Sequence, residues 1–223
     1  SAMPVASCYR AIDFTLRNMT NSGIKKVAVI TQYNSRSLRD HLSSSKWWDF
    51  GRKQGGLFIF TPFTSKDGSM WFRGTADSLY QNMTFLRRSN EKYIVIVNGN
   101  GIYKMDYSKL IEYHIEKNAD ITLAYKDIDI EDITKVGVLS VDKDELVTDF
   151  DEKPVESNYN KMSLGIYVIE RTLLIKLVEE TIGRGSFDFV RDVIMKYTKS
   201  YKVYGYKFDG YWNAINSIES YYN

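Results

Sequence analysis

The 223-residue chain predicts an α/β fold, a mainly parallel central sheet flanked by helices with a small antiparallel excursion. Three observations carry this expectation. Short apolar runs at residues 27–33, 57–63, 93–97 and 119–126 alternate with helix-periodic stretches. That alternation is the mark of right-handed βαβ units. After residue 127 the rhythm changes, and two short strands around Asp142-Lys143-Asp144 predict a hairpin.

Each element has its own signal. Ile12, Leu16 and Met19 fall at helical spacing within residues 9–22, and Gly23 follows as a C-terminal cap. The β-branched run 27–33 predicts a buried strand. A helix over 35–42, a strand over 57–63 and a polar loop at 66–69 come next. One long helix over 74–88 begins on Gly-Thr-Ala-Asp. The strand 93–97 runs into Asn98-Gly99-Asn100-Gly101, and Asp106 caps a helix over 106–117. The strand 119–126 precedes the hairpin, which pairs 136–141 with 146–150. A strand over 163–169, helices over 171–180 and 186–199, and a strand over 201–208 complete the pattern. Without repeats, low-complexity segments or strong linkers, residues 1–223 are expected as one domain with halves 1–126 and 127–223.

Composition narrows the chemistry. Apolar residues make up 43% and charged residues 26%, and the net charge is +2, so nothing favours nucleic acid or a membrane surface as partner. No apolar run is long enough to span a bilayer, and the start carries no signal pattern. The single cysteine, Cys8, excludes an internal disulfide, reads as inert, and fits a reducing cytoplasm. Two histidines, His41 and His114, and one cysteine argue against a zinc site or a Cys/His nucleophile pair. Chemistry then falls to carboxylates, lysines, backbone amides and a soluble metal such as magnesium. His114 shares a helix face with Tyr107, Leu110 and Ile111 and reads as packing. The adjacent Trp47 and Trp48 point to different faces, so at least one is expected to be exposed.

Ligands of open parallel sheets bind at the carboxyl ends of the strands, and three segments fall there. Gly74-Thr75-Ala76-Asp77 opens a helix whose amides and small residues admit a flat base; the same residues read equally as N-capping by Thr75. Asn98-Gly99-Asn100-Gly101 stands where a carboxylate often holds Mg²⁺, but its polar groups are amides and Asn-Gly is also ordinary turn composition. Glu152-Lys153-Pro154 closes a strand; its lysine can reach a phosphate as a point charge, and alone the segment reads better as a solvated turn.

In order along the chain stand Tyr9-Arg10-Ala11-Ile12-Asp13-Phe14, Ile30-Thr31-Gln32-Tyr33, Trp71-Phe72-Arg73-Gly74-Thr75-Ala76-Asp77, Ile102-Tyr103-Lys104-Met105-Asp106-Tyr107, Phe150-Asp151-Glu152-Lys153-Pro154 and Gly165-Ile166-Tyr167. This series resembles glucose-1-phosphate adenylyltransferase, also called ADP-glucose pyrophosphorylase, over nearly the whole chain. The resemblance implies a Rossmann-like nucleotidyltransferase fold, with 1–126 the nucleotide side and 127–223 the sugar-phosphate side. It implies ATP and glucose 1-phosphate as substrates and ADP-glucose as product. The family's C-terminal β-helix is absent from these 223 residues. Position by position, Glu152 and Lys153 match the pair that binds glucose 1-phosphate, the lysine through its phosphate. Ser163, Tyr167 and Trp212 match further sugar-side residues, and Asp188 and Phe189 match an acidic–aromatic pair on the glucose hydroxyls. Gly74 and Thr75 match the adenine side. Gln32 and Trp71 match positions that relay an allosteric signal.

The departures from the family are as informative. Active members carry an aspartate where this chain has Asn100, and a second where it has Ala214; the resemblance implies that those two hold magnesium against the triphosphate. Met3 replaces a lysine, the glycine-rich phosphate loop has no counterpart, and part of a Gly-Gly turn is missing between Ser7 and Cys8. The combination is similar to the GlgD-type regulatory subunit of the bacterial enzyme. It implies a hetero-oligomer with a catalytic paralogue, binding of sugar phosphate, nucleotide or effector, poor magnesium binding, and weak or no catalysis in glycogen synthesis. Two alternatives stand beside it. One is a competent adenylyltransferase drawing metal ligands from Asp106 or Asp209; the other is an assembly subunit with a vestigial pocket. Thymidylyl- and uridylyltransferases fit less well than the adenylyl branch, given Arg73-Gly74-Thr75-Ala76-Asp77.

Overall fold

The computed structural model describes residues 4–5, 9–32, 35–44, 55–62, 71–128, 136–154 and 159–215. Met3, Cys8, Trp47, Trp48 and the 66–69 loop lie outside the described residues. In chain order the first elements are β1 (Pro4–Val5), β2 (Tyr9–Arg10), α1 (Ala11–Asn21), β3 (Lys26–Ile30), α2 (Ser35–Ser44) and β4 (Gly56–Phe60). Next come α3 (Thr75–Gln81), α4 (Met83–Arg87), β5 (Tyr93–Val97), β6 (Gly101–Tyr103), α5 (Tyr107–Glu116) and β7 (Ile121–Asp127). The chain continues through β8 (Gly137–Val141), β9 (Val147–Glu152), β10 (Lys161–Glu170), α6 (Arg171–Gly183), a π-helix (Val190–Met195), β11 (Val203–Lys207) and β12 (Trp212–Ala214). Contacts group the chain into two compact units: Ser1–Trp71, Val97–Ser108 and Gly210–Asn223 form one, and Phe72–Ile96 and Lys109–Asp209 the other. Each unit therefore draws on both sides of the 126/127 boundary drawn from the sequence.

In the first unit, β3 and β4 run parallel from Lys26↔Gly56 to Ile30↔Phe60, with α2 between them in sequence, as the alternating pattern requires. The expectation of a fully buried strand does not hold for β3: Val27 alone is buried and its neighbours are half-exposed. Among the described residues its one strand partner is β4. Helix α1 starts where the Asp13 carboxylate accepts a hydrogen bond from the Arg10 amide at 2.9 Å. It buries Ile12, Leu16 and Met19, the residues that the spacing selects. It ends before Gly23, whose φ of +74° is the left-handed conformation that glycine adopts without strain.

The second unit is built on a six-stranded sheet in the order β11-β7-β10-β8-β9, with β5 also on β10. Strand β11 is parallel to β7, while β10 is antiparallel to both β7 and β8. The hairpin β8–β9 is the expected antiparallel excursion. Its turn closes on the Asp142 carboxylate, which accepts from the amides of Asp144 (2.8 Å) and Leu146 (2.9 Å). Asp106 likewise caps α5, its carboxylate accepting from the Ser108 amide at 3.0 Å. Helices α3 and α4 pack on α6, and Leu123, Leu139, Ile169, Leu177 and Val193 join one apolar core.

Three elements differ from expectation. The single helix 74–88 is two helices, because Asn82 leaves helical geometry at φ −106°, ψ 19° and its side-chain amide donates to the Ser78 carbonyl at 2.8 Å. The helix expected from 186 opens with a non-helical segment and then a π-helix. Strand β6, only three residues long, escapes periodicity altogether. His114 is packed as its spacing implies: it is buried, with Nδ1 2.8 Å from the Thr122 hydroxyl and its ring edge-on to Tyr93.

Candidate functional site

In the first unit, the turn Asn98-Gly99-Asn100-Gly101 feeds β6, and β6 pairs antiparallel with β12. The register sets Ala214 opposite Gly101 and Trp212 opposite Tyr103, and the Ile215 amide donates to the Asn100 carbonyl at 3.0 Å. The two positions singled out as departures are thereby neighbours, Asn100 in the turn just before β6 and Ala214 on β12. Short as it is, β6 is held firmly. The Asn18 side chain donates to the Tyr103 carbonyl (3.0 Å) and accepts from the Met105 amide (3.3 Å), while the Ser22 hydroxyl accepts from the Tyr107 amide (2.8 Å). The hydroxyls of Tyr103 and Tyr107 meet at 2.6 Å, and burial raises the pKa of both. Gly101 cannot carry a side chain without displacing the Tyr103 ring, which lies 2.6 Å from where its Cβ would sit. The Trp212 indole nitrogen, 3.7 Å from that same point, is buried and has no hydrogen-bond partner among the described residues.

The residue types at Asn100 and Ala214 match magnesium poorly. Mg²⁺ takes hard oxygen ligands, usually including one or two carboxylates. Among the described residues, Asn100 contributes a neutral amide, Ala214 a methyl group and Trp212 an indole N–H that can only donate. The carboxylates weighed as substitutes have other partners: Asp106 caps α5, and Asp209 lies 3.9 Å from the Lys207 ammonium.

The second unit holds the expected sugar-side residues other than Trp212, which stands on β12 in the first unit. Glu152 ends β9 opposite Gly137, and a Cβ on Gly137 would lie 2.7 Å from the Glu152 carboxylate, so the missing side chain makes room for it. Burial raises the Glu152 pKa and the nearby Asp188 charge adds to the rise, against the opposing pull of Lys153. Lys153 takes a left-handed φ of +51°, and its side chain is 61% exposed with Nζ 3.9 Å from Glu152 Oε1. A mobile cation at that distance is a loose partner and remains available to an anion. On β10, Ser163 and Tyr167 flank a register shift that contains Gly165 at φ +67°. Their hydroxyl oxygens lie 3.5 Å apart. Tyr167 is buried, its pKa pushed up to about 12 by desolvation, and its ring meets Phe189 edge-on at 5.6 Å. Glu152, Tyr167, Asp188 and Phe189 are thus brought together around one strand end and the approach to the π-helix.

Gly74 and Thr75 join the same neighbourhood by a route that sequence reasoning missed. The Phe187 carbonyl accepts from the amides of Ala76 (2.8 Å) and Asp77 (3.3 Å), so these N-terminal amides of α3 bond an internal group. Thr75 does not cap α3 either; its hydroxyl accepts from the Phe189 amide at 2.7 Å. Arg73 stacks its guanidinium 3.9 Å above the Phe187 ring and pairs with the buried Asp77 carboxylate. Asp192 completes the junction, accepting from the amides of Phe187 (3.1 Å) and Asp188 (2.9 Å). A carboxylate four residues beyond Asp188 was visible in the sequence. Its backward reach depends on the non-helical segment before the π-helix, which was not visible. Gln32 and Trp71 are both exposed and both belong to the first unit.

The model of the family described as Nucleotidyl transferase matches residues 1–223. Glucose-1-phosphate adenylyltransferase of Clostridium novyi is 40% identical over 222 residues, covering 98% of this chain and 58% of that protein. The protein of the same name from Thermotoga maritima is 39% identical over 225 residues, 99% of this chain and 53% of its own length. That of Fervidobacterium nodosum is 40% identical over 216 residues, 96% of this chain and 52% of its own. The chain therefore spans little more than half the length of these curated relatives. Among the described residues no helix is long and apolar enough to cross a membrane.

Proposed function

The chain belongs to the nucleotidyl transferase family, and from that premise we propose that it works in a glucose-1-phosphate adenylyltransferase as a regulatory subunit that binds glucose 1-phosphate and has little catalysis of its own. The names of its relatives support the substrate class. The observation that supports a low activity is the β6–β12 pairing, with Ala214 opposite Gly101 and the Asn100 carbonyl bonded to the Ile215 amide.

In this reading the sugar side does the binding. Lys153 meets the phosphate as a point charge, and Glu152 and Asp188 accept hydrogen bonds from the sugar hydroxyls. Tyr167 and Phe189 supply the apolar wall behind them. A magnesium ion, were one held here, would supply charge neutralisation to a triphosphate. With a poor fit for it, removal of that electrostatic stabilisation lowers the rate by roughly 10³-fold or more. ADP-glucose synthesis, and through it glycogen formation in the cytoplasm, then falls to a catalytic paralogue in the same hetero-oligomer, which this subunit modulates through its own ligands.

Two measurements on the full-length protein test this. Calorimetry is expected to show saturable glucose 1-phosphate binding that Lys153→Ala weakens by about tenfold, the loss of one charged contact. Assayed alone, the protein is expected to form ADP-glucose at roughly a thousandth or less of the rate of a paralogue with both aspartates. Comparable rates would refute the regulatory reading, and absence of sugar-phosphate binding would refute the substrate.

A further inference from the structure

We propose that Thr75 is a positioning residue for the sugar-side pair Asp188–Phe189, and not a nucleotide contact. The proposal rests on the reading of this chain as a glucose 1-phosphate binder. Its basis is the junction between the start of α3 and residues 187–189. The Thr75 hydroxyl accepts from the Phe189 amide at 2.7 Å, across 114 residues of sequence. One residue earlier, Gly74 lets the two backbones touch: a Cβ there would lie 2.4 Å from the Phe187 carbonyl oxygen. That same oxygen accepts from the Ala76 and Asp77 amides. Three adjacent positions on α3, Thr75, Ala76 and Asp77, therefore bind two backbone atoms of the segment that presents Asp188, the Phe187 oxygen and the Phe189 amide.

The segment needs such a hold because it is not helical. Residues 186–188 have no regular structure, and the Asp188 carboxylate is turned inward along the chain to accept from the Arg191 amide at 2.8 Å. Asp192 fixes the amides of Phe187 and Asp188 from the π-helix side. Thr75 fixes the next amide, that of Phe189, from the α3 side. Between them they clamp the backbone on both flanks of the carboxylate. Without the Thr75 oxygen the Phe189 amide loses its acceptor and the ring of Phe189 loses its fixed place against Tyr167.

The test compares Thr75→Ser, Thr75→Val and Thr75→Ala in the full-length protein. Three readouts are taken: calorimetric affinity for glucose 1-phosphate, calorimetric affinity for ATP, and hydrogen exchange at the Phe189 amide. Thr75→Ser is expected to keep glucose 1-phosphate affinity within about twofold and to keep the amide protected. Thr75→Val and Thr75→Ala are expected to expose that amide to exchange and to weaken glucose 1-phosphate by roughly tenfold, with ATP affinity unchanged. A purely structural threonine would lower stability but leave the ligand affinities alone. The proposal is overturned if the valine and alanine variants bind glucose 1-phosphate like the wild type, or if ATP affinity falls in place of it. If the wild type itself binds no glucose 1-phosphate, the substrate reading fails and the positioning role fails with it, a result distinct from the two before.

Discussion

At Glu152 and His114 burial acts on ionisation in opposite directions, and each gives a pH-dependent expectation. Burial raises the Glu152 pKa, with Asp188 adding to it, so the fold favours the protonated acid. The stabilising contribution of this group is complete below the pKa of an unfolded glutamate and disappears as pH rises through the higher folded value. Glu152→Gln removes that dependence. Urea midpoints measured at about pH 4 and about pH 7 are expected to show the wild type losing stability relative to the variant at the higher pH. His114 is the converse, since burial lowers its pKa and the fold favours the neutral ring. Between the lowered value and the ordinary one near 6.5 the unfolded chain binds the extra proton, so stability falls as pH drops through that window. His114→Gln should flatten the drop in urea midpoint between about pH 7 and about pH 5. An unchanged slope would contradict the assignment. At this scale the sequence was informative about residue type and silent about conformation. Tyr107, Leu110 and His114 announced a packed face by their spacing. The left-handed backbone of Lys153, which turns its ammonium into solvent, had no signal, because lysine seldom adopts that geometry.

The junction at the start of α3 is an element-level feature and is best tested with glycines. Gly74 has φ 178°, an extended conformation open to any residue, so Gly74→Ala adds no backbone strain. The new methyl would nonetheless meet the Phe187 carbonyl at 2.4 Å, and overpacking of this kind lowers stability by about 1–3 kcal/mol. Gly183, at the end of α6, has nothing within 4 Å of its Cβ position. Gly183→Ala is expected to raise stability by about 0.5–1 kcal/mol through reduced freedom of the unfolded chain. Opposite signs in the two urea midpoints support the packing account, and equal signs contradict it. The element pattern shows where periodicity stops being a guide. Helices α1 and α5 and the hairpin turn at Asp142 followed from local spacing and capping residues. The break at Asn82 did not, because the side chain can stay in a helix or bond back to Ser78, and only tertiary packing decides. Strand β6 exists because β12, more than a hundred residues away, supplies its hydrogen bonds.

For the whole molecule the α/β class followed from the order of strands and helices, and the comparisons place the chain in the nucleotidyl transferase family. The interleaving of segments into two compact units was out of reach of a linear reading, since it depends on contacts between distant parts of the chain. The proposed function also belongs to this scale, because it draws on residues of both units, Glu152 and Lys153 in one and Asn100 and Ala214 in the other. It is tested most directly by the rate of ADP-glucose formation from ATP and glucose 1-phosphate, in the full-length wild type and in the Asn100→Asp, Ala214→Asp double variant. The account predicts that the double variant is faster by roughly 10³-fold, the scale of the electrostatic stabilisation restored. Equal rates in the two proteins would contradict it.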